Sequence, residues 1–281
     1  PFIRSMVAQR NKRWPCMAAY QESTMSTFEV VTSMSQSYYD KIGSVMLESF
    51  IDKWPDHINL RIYTEDNLRL PEHSKYKIYD LYKEEPELRK FVDRHKDRPD
   101  QQNALELHLG AVRFSYKTFS VINACLNKAA DYIIWLDADT LTHADVTMDF
   151  LESLVDEEKY LTYLGRENNY SECGFVIYNT NHSVNDAFMG RWKMEYTHDG
   201  VFKYAQWHDS FVFDEIRRMF EKDLKIENIN LTPWGKNYDH VFINSILGEY
   251  MDHMKGDRKN IGKSMRSDIF NERKSEYWSN I

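Results

Sequence analysis

The chain has 281 residues, a formal net charge of −8 and 42% hydrophobic residues, which suits one large α/β domain or two small ones. The negative charge excludes the broad basic surface by which proteins bind nucleic acid. No apolar run reaches the ~20 residues of a membrane span, and three dispersed cysteines, Cys16, Cys125 and Cys173, indicate a reducing compartment without disulfides.

The first third of the chain predicts a βαβ unit. Residues 1–27 are basic and without period, and we predict an N-terminal arm there. Residues 28–31 predict a buried strand, 40–54 have helical spacing, and 58–66 alternate as a strand does. A strand, a helix and a strand in this order favour a parallel sheet. The charge-rich residues 67–102 predict short helices and loops.

The rest of the chain continues to alternate between strand and helix patterns. The predicted elements are a helix over 103–129, broken near Gly110, a strand over 131–139, a short helix over 146–156, strands over 160–166 and 173–181, and helices over 186–200 and 210–222. This alternation predicts an open, mostly parallel α/β sheet flanked by helices. Such sheets bind ligands beyond the carboxyl ends of their strands.

Two aspartates stand at the exit of the strand over 131–139. Asp137 and Asp139, separated by Ala138, directly follow four apolar residues. Because like charges this close repel, we expect a cation between them, and carboxylate oxygens suit Mg²⁺ or Mn²⁺. The alternative is a capped turn, since Asp-x-Asp is a common tripeptide in loops and caps and Asp139 followed by Thr140 could cap a turn.

A buried strand that ends in Asp-x-Asp, after a βαβ half, resembles the GT-A class of glycosyltransferases over most of residues 28–262. The resemblance implies one GT-A domain, with a Rossmann-like nucleotide-sugar-binding half over 28–140 and an acceptor-binding half over 141–262. Residues 263–281 then form a C-terminal tail. In that class the Asp-x-Asp motif holds a divalent metal on the diphosphate of a nucleotide-sugar.

A second motif, His253-x-x-Gly256-x-x-Lys259, is similar to the C-terminal motif of glycogenin-like and bacterial galactosyltransferase-like families. The resemblance implies that His253 completes the metal site with the Asp pair, while Gly256 and Lys259 meet the phosphates. Imidazole is a good metal ligand, glycine admits close approach, and lysine is a point charge for phosphate. Those families continue Lys-Pro-Trp, whereas Asn-Ile follows here. The alternative is a surface histidine.

The resemblance also assigns side chains to the donor. Thr32 and Ser33 follow the first strand and Asp66 follows the second, where the nucleoside lies in that class. Arg113 and Lys117, one turn apart on a helix, would offer a basic group to the donor phosphate or sugar. Ordinary turn chemistry and a solvated basic stripe are the alternatives.

On the acceptor side the resemblance points to two segments. Gly174 would leave room for the acceptor sugar, and Trp207 and His208 would border it. Asp209 would take the proton of the acceptor hydroxyl in an inverting enzyme, or hold the acceptor in a retaining one. The alternative for Asp209 is a helix N-cap.

Together these residues predict a metal-dependent glycosyltransferase, hexosyl or pentosyl, with Mn²⁺ or Mg²⁺ as cofactor. It would move sugar from a UDP- or GDP-sugar to a carbohydrate or other hydroxyl acceptor, with retention. One alternative is a nucleotidyltransferase, although no glycine-rich loop follows the first strand. The other is a non-catalytic nucleotide- or sugar-binding module. With no membrane anchor in the sequence, we expect a bacterial, phage or viral enzyme of the cytoplasm.

Overall fold

The computed structural model describes residues 26–98 and 109–279 of the chain. Most of the predicted arm over 1–27 lies outside these ranges, as does the start of the helix predicted over 103–129. None of the described helices is long and apolar enough to cross a membrane.

A seven-stranded sheet in the order β3-β2-β1-β4-β7-β6-β8 forms the centre of the described chain, and β5 pairs with β9 in a small second sheet. The strands are β1 (Phe28–Ser33), β2 (Asn59–Thr64), β3 (Tyr76–Asp80), β4 (Tyr132–Leu136), β5 (Thr140–Thr142), β6 (Leu161–Leu164), β7 (Glu172–Asn179), β8 (Ile229–Asn230) and β9 (Met251–His253). Within the large sheet only β7 runs antiparallel to its neighbours. The predicted open, mostly parallel α/β sheet is therefore confirmed.

Helices cover both faces of this sheet. They are α1 (Gln36–Tyr38), continued by a π-helical turn (Tyr39–Gly43) into α2 (Ser44–Lys53), then α3 (Leu81–Glu84), α4 (Pro86–His95), α5 (Ala111–Asn127), α6 (Met148–Glu152), α7 (Asn185–Thr197), α8 (Asp209–Leu224), α9 (Val241–Asn244), α10 (Arg258–Ile261) and α11 (Glu276–Ser279). Short 3₁₀ turns lie at Gly200–Lys203, Ile246–Glu249 and Arg266–Asp268.

Strand β4 shows why the sheet is buried on both sides. All of its side chains are buried, and they alternate between two hydrophobic clusters. Ile133 and Trp135 pack with residues of α5, α7 and α8, whereas Ile134 and Leu136 pack with residues of α2 and α9. A strand with two apolar faces reads as a continuous apolar run, which is why β4 was predictable.

The prediction for residues 67–102 was wrong in part. Short helices and loops were expected there, and α3 and α4 are short helices, but residues 76–80 form β3, paired in parallel with β2 so that Ile62 lies opposite Ile78. Because β3 is the edge strand, its side chains are part-buried or exposed, with charged residues among them. A charged edge strand lacks the apolar pattern by which central strands are detected.

The described part of the C-terminal tail, residues 263–279, is folded onto the domain. Trp278 is 5% exposed, and its indole N–H donates to a backbone carbonyl at 2.6 Å. Tyr277 donates its hydroxyl to Asp252 at 2.8 Å, and its ring stacks on His143 with centroids 4.2 Å apart. Since Asp252 is in β9, the tail is attached to the strand that carries the predicted histidine ligand.

We expect this docking to weaken in mild acid. Burial lowers the pKa of His143 from 6.5 to about 4, so the folded protein keeps the ring neutral where the unfolded chain binds a proton. Its contribution to stability is complete above pH 6.5 and is lost as the pH falls towards 4. In His143→Phe, which keeps a stacking ring but cannot titrate, the free energy of unfolding should depend less on pH in this window. Equal pH dependence in variant and wild type would contradict the assignment.

Candidate active site

The turn after β4 is fixed by two strands that are distant in sequence. The backbone N–H of Asp137 donates to the carbonyl of Gly174 in β7 at 2.9 Å. The carbonyl of Asp139 accepts from the N–H of Met254 at 2.9 Å, and the following strand, β5, pairs with β9, which ends in His253. The two aspartates and the histidine are therefore brought together by backbone pairing.

The Asp pair and His253 form one compact group. Nε2 of His253 lies 3.4 Å from Oδ2 of Asp137 and 3.3 Å from Oδ1 of Asp139. One ligand atom from each residue lies within 4.8 Å of the others. Asp139 and His253 are buried, whereas Asp137 is partly exposed, so the group borders solvent on the Asp137 side. Two carboxylates and an imidazole are a donor set that fits Mn²⁺ or a similar divalent ion.

The acids and cations of this group shift one another's pKa values. Burial on its own lowers the pKa of His253, but the charge of Asp139 and hydrogen bonds to both aspartates outweigh it and raise that pKa to about 10. Burial likewise opposes ionisation of Asp139, yet His253 and Lys259 hold the pKa of its carboxyl below the usual range. The carboxylates of this group therefore favour positive charge beside them.

Lys117 joins the Asp turn to the start of α8. Its Nζ lies 2.8 Å from Oδ1 of Asp137, 2.8 Å from Oδ2 of Asp209 and 2.6 Å from the carbonyl of Cys173. An ammonium group has three N–H donors, and these three acceptors engage all of them. In this arrangement Lys117 pairs with two carboxylates, and its predicted contact with the donor phosphate or sugar stays a prediction. Arg113, the other predicted basic residue, is exposed on α5.

Lys259 reaches the group from α10. The turn before this helix contains Gly256 at a φ of 64°, a left-handed conformation that favours glycine. Nζ of Lys259 lies 2.8 Å from Oδ2 of Asp139 and 5.2 Å from the ring centroid of Tyr38. Tyr38 immediately precedes the π-helical turn, and such turns are frequent at functional sites. Burial and the charges of Asp139 and Asp137 raise the pKa of its phenol.

The alternative that Asp209 is the N-cap of α8 is wrong. The N-cap is His208, whose Nδ1 accepts from the N–H of Phe211 at 3.3 Å, and Asp209 is the first helical residue. Asp209 is 5% exposed and is turned to Lys117. The half-buried Trp207 donates its indole N–H to a backbone carbonyl and packs against the core. The predicted acceptor contacts of Trp207 and His208 stay predictions.

Gly174 is required by the histidine beside it. A Cβ at this position would lie 2.5 Å from Cε1 and 2.6 Å from Nδ1 of His253, which is closer than real contacts allow. The missing side chain therefore makes room for the imidazole. Its predicted role, room for an acceptor sugar, stays a prediction.

The predicted nucleoside contacts lie at the carboxyl ends of β1 and β2. Thr32 is fully buried, and its hydroxyl has no hydrogen-bond partner among the described residues. Ser33 is part-buried. The carboxylate of Asp66 accepts from the N–H of Gln36, at the start of α1, at 2.9 Å and from the hydroxyl of Thr64 at 2.7 Å. The nucleoside contacts of Thr32, Ser33 and Asp66 stay predictions.

Sequence reasoning missed Glu172, the first residue of β7. This acid is 6% exposed and lies 3.5 Å from Nδ1 of His253. The available signal was an acid that opens a strongly apolar strand, in the stretch "ECGFVIYN", because a charge at the start of a buried strand needs a partner.

No protein-family model and no curated protein matches this chain. Among solved structures, it is similar to a WbbM bifunctional glycosyltransferase with 14% identity, covering 83% of this chain and 46% of that one, at a TM-score of 0.49. It is also similar to mouse xyloside xylosyltransferase 1, with 13% identity, coverage of 74% and 86%, and a TM-score of 0.47.

A third similar structure is a glycosyltransferase involved in the glycosylation of the major capsid of PBCV-1, with 10% identity, coverage of 84% and 98%, and a TM-score of 0.43. The chain spans less than half the length of the WbbM structure, 46%. With TM-scores below 0.5, function has to be argued from the site itself. These structural neighbours are glycosyltransferases, and in this chain Asp137 and Asp139 lie close to His253, as the resemblance implied.

Proposed function

We propose that this chain is a metal-dependent glycosyltransferase that moves a sugar from a nucleotide-sugar to a hydroxyl acceptor with retention. The observation that carries this proposal is the convergence of Asp137, Asp139 and His253 at the carboxyl edge of a mostly parallel sheet. That edge is where open α/β sheets bind ligands. Lys259 adds a further cation at the same place.

Asp137, Asp139 and His253 would hold Mn²⁺ or Mg²⁺, which when bound neutralises the negative charge that develops on a leaving nucleoside diphosphate. Lys259 is placed to add a point charge for the same diphosphate. The half-buried position of Lys259 beside Tyr38 keeps its ammonium group close to the site.

Lys117 and Asp209 support retention in this proposal. Asp209 is buried and already paired with the ammonium group of Lys117 at 2.8 Å. Because Oδ2 of Asp209 is already engaged by Lys117, the pairing favours a role in holding groups in place over the inverting role, in which Asp209 takes the proton of the acceptor. We assign it instead to holding the acceptor or stabilising positive charge on the transferred sugar.

The test is a panel of UDP- and GDP-sugars offered to the purified protein with Mn²⁺, with Mg²⁺ or with a chelator. We expect release of nucleoside diphosphate from one donor, dependent on the metal and increased by a hydroxyl acceptor. The anomeric configuration of the product, read by NMR, tests retention.

Other outcomes of the same panel would identify the alternatives. Metal-dependent donor binding without turnover would favour a binding module, and release of pyrophosphate from a nucleoside triphosphate would favour a nucleotidyltransferase. If no donor bound, or if binding ignored the metal, the proposal would be wrong.

A further inference from the structure

We propose, on the basis of the metal site proposed above, that Glu172 is a positioning residue that orients the imidazole of His253 towards Asp137 and Asp139. It touches neither donor nor acceptor in this proposal. It acts through the histidine.

The topology explains how an acid from β7 reaches this place. Because β7 runs antiparallel to β4, its first residues lie beside the carboxyl end of β4, where the Asp turn begins. The pairing of β7 with β6 is also irregular there, since Thr162 lies opposite Ile177 but Leu164 lies opposite Glu172. Irregularities of this kind re-aim side chains beside active sites.

The two ring nitrogens of His253 face different carboxylates. Nε2 faces the Asp pair, whereas Nδ1 lies 3.5 Å from Oε1 of Glu172. Nδ1 is buried and has no hydrogen-bond partner among the described residues. A buried N–H without an acceptor is costly, and Glu172 is the carboxylate placed to receive it. Histidines that bind metals usually donate their second N–H to such a carboxylate, which fixes the tautomer and the ring orientation.

The imidazole has little freedom to turn away from this arrangement. The backbone of Gly174 approaches so closely that a Cβ there would lie 2.5 Å from Cε1 of the ring. The ring of Phe242 packs against it with centroids 5.2 Å apart. Packing therefore limits the position of the ring, and Glu172 is the carboxylate that faces the nitrogen turned away from the Asp pair.

Glu172 is itself held in place by cations. It forms an ion pair with Lys255, two residues after His253, and Nη2 of Arg166 lies 3.9 Å from its Oε2. A buried carboxylate needs such partners. Lys255 lies two residues beyond the end of β9. Its ion pair with Glu172 therefore joins β9, which carries His253, to β7.

The experiment measures Mn²⁺ affinity by calorimetry or EPR without any nucleotide-sugar, in wild type, Glu172→Gln and Glu172→Ala. We expect Ala to weaken Mn²⁺ binding by about 10- to 100-fold. The Gln variant should lose less Mn²⁺ affinity than the Ala variant, because its neutral side-chain oxygen can still accept a hydrogen bond from Nδ1. The matched control is Glu167→Gln, an exposed acid five residues earlier, with unchanged affinity.

Thermal unfolding of each metal-free variant shows whether it is folded. If the Ala variant does not fold, the Gln variant decides, and an affinity equal to that of wild type would overturn the role of Glu172. A drop in stability with unchanged Mn²⁺ affinity would likewise make Glu172 merely structural. Failure of the metal site itself gives a different result, since wild type would then not bind Mn²⁺, or Asp139→Asn would bind it equally well.

Discussion

The Asp139→Asn variant should lose metal-dependent turnover by a factor on the order of 10³, because Lewis-acid assistance to a leaving group is worth several kcal/mol. The substitution keeps the size of the side chain and removes its charge. Asp139 faces His253 at 3.3 Å and Lys259 at 2.8 Å, so it is the centre of the group. Removing its charge takes away one anionic ligand of the proposed metal and the carboxylate that pairs with Lys259.

The measurement is kcat/KM with the donor identified from the panel, together with Mn²⁺ affinity in its absence. Asp149→Asn is a matched control, since Asp149 is exposed on α6. Thermal unfolding of the chelated protein separates loss of the site from loss of the fold. If a folded Asp139→Asn protein kept wild-type turnover and Mn²⁺ affinity, the Asp turn would have only a structural role and the metal site would be wrong.

The Lys259→Met variant should bind Mn²⁺ more tightly but a nucleoside diphosphate more weakly. The ammonium group of Lys259 pairs with Oδ2 of Asp139 at 2.8 Å, and Asp139 is one of the residues that would hold the metal. Methionine has similar length but no charge, so Mn²⁺ should bind several-fold more tightly to the variant in the absence of nucleotide. Turnover should nevertheless fall about 10²-fold, because the diphosphate loses a cation.

Both affinities can be measured on one preparation, first for Mn²⁺ alone and then for a nucleoside diphosphate in the presence of Mn²⁺. Lys90→Met, at an exposed position on α4, is the control for a lost surface charge. If Mn²⁺ binding weakened together with turnover, Lys259 would support the metal site instead of competing for it.

The sequence was most informative where chemistry is local. The apolar run of β4 and the two aspartates after it are adjacent in the chain, so a strand with an acidic exit could be predicted directly. The spacing of His253, Gly256 and Lys259 is also local, and the structure brings His253 and Lys259 to the Asp pair. Motifs of this kind can be recognised in a single sequence because their members lie only a few residues apart.

What the sequence could not predict depends on partners from distant segments. The role of Lys117 is decided by Asp137, Asp209 and the carbonyl of Cys173, which come from three separate elements. Glu172 reaches His253 only because β7 is antiparallel, and a predicted parallel sheet would have placed it at the opposite edge. The direction of β7, which hydrophobic periodicity does not encode, is therefore the reason that Glu172 was missed.

The docked C-terminal tail makes two equilibria interdependent. Asp252 and His253 are neighbours on β9, and Asp252 accepts from the hydroxyls of Ser264 and Tyr277 of the tail at 2.6 and 2.8 Å. Release of the tail would free the strand that presents the imidazole, so undocking and metal loss favour each other. By reciprocity, a filled metal site would hold the tail in place with the same coupling free energy. Through this coupling, residues 263–279 would contribute to the metal affinity of the proposed site although none of them is among its ligands.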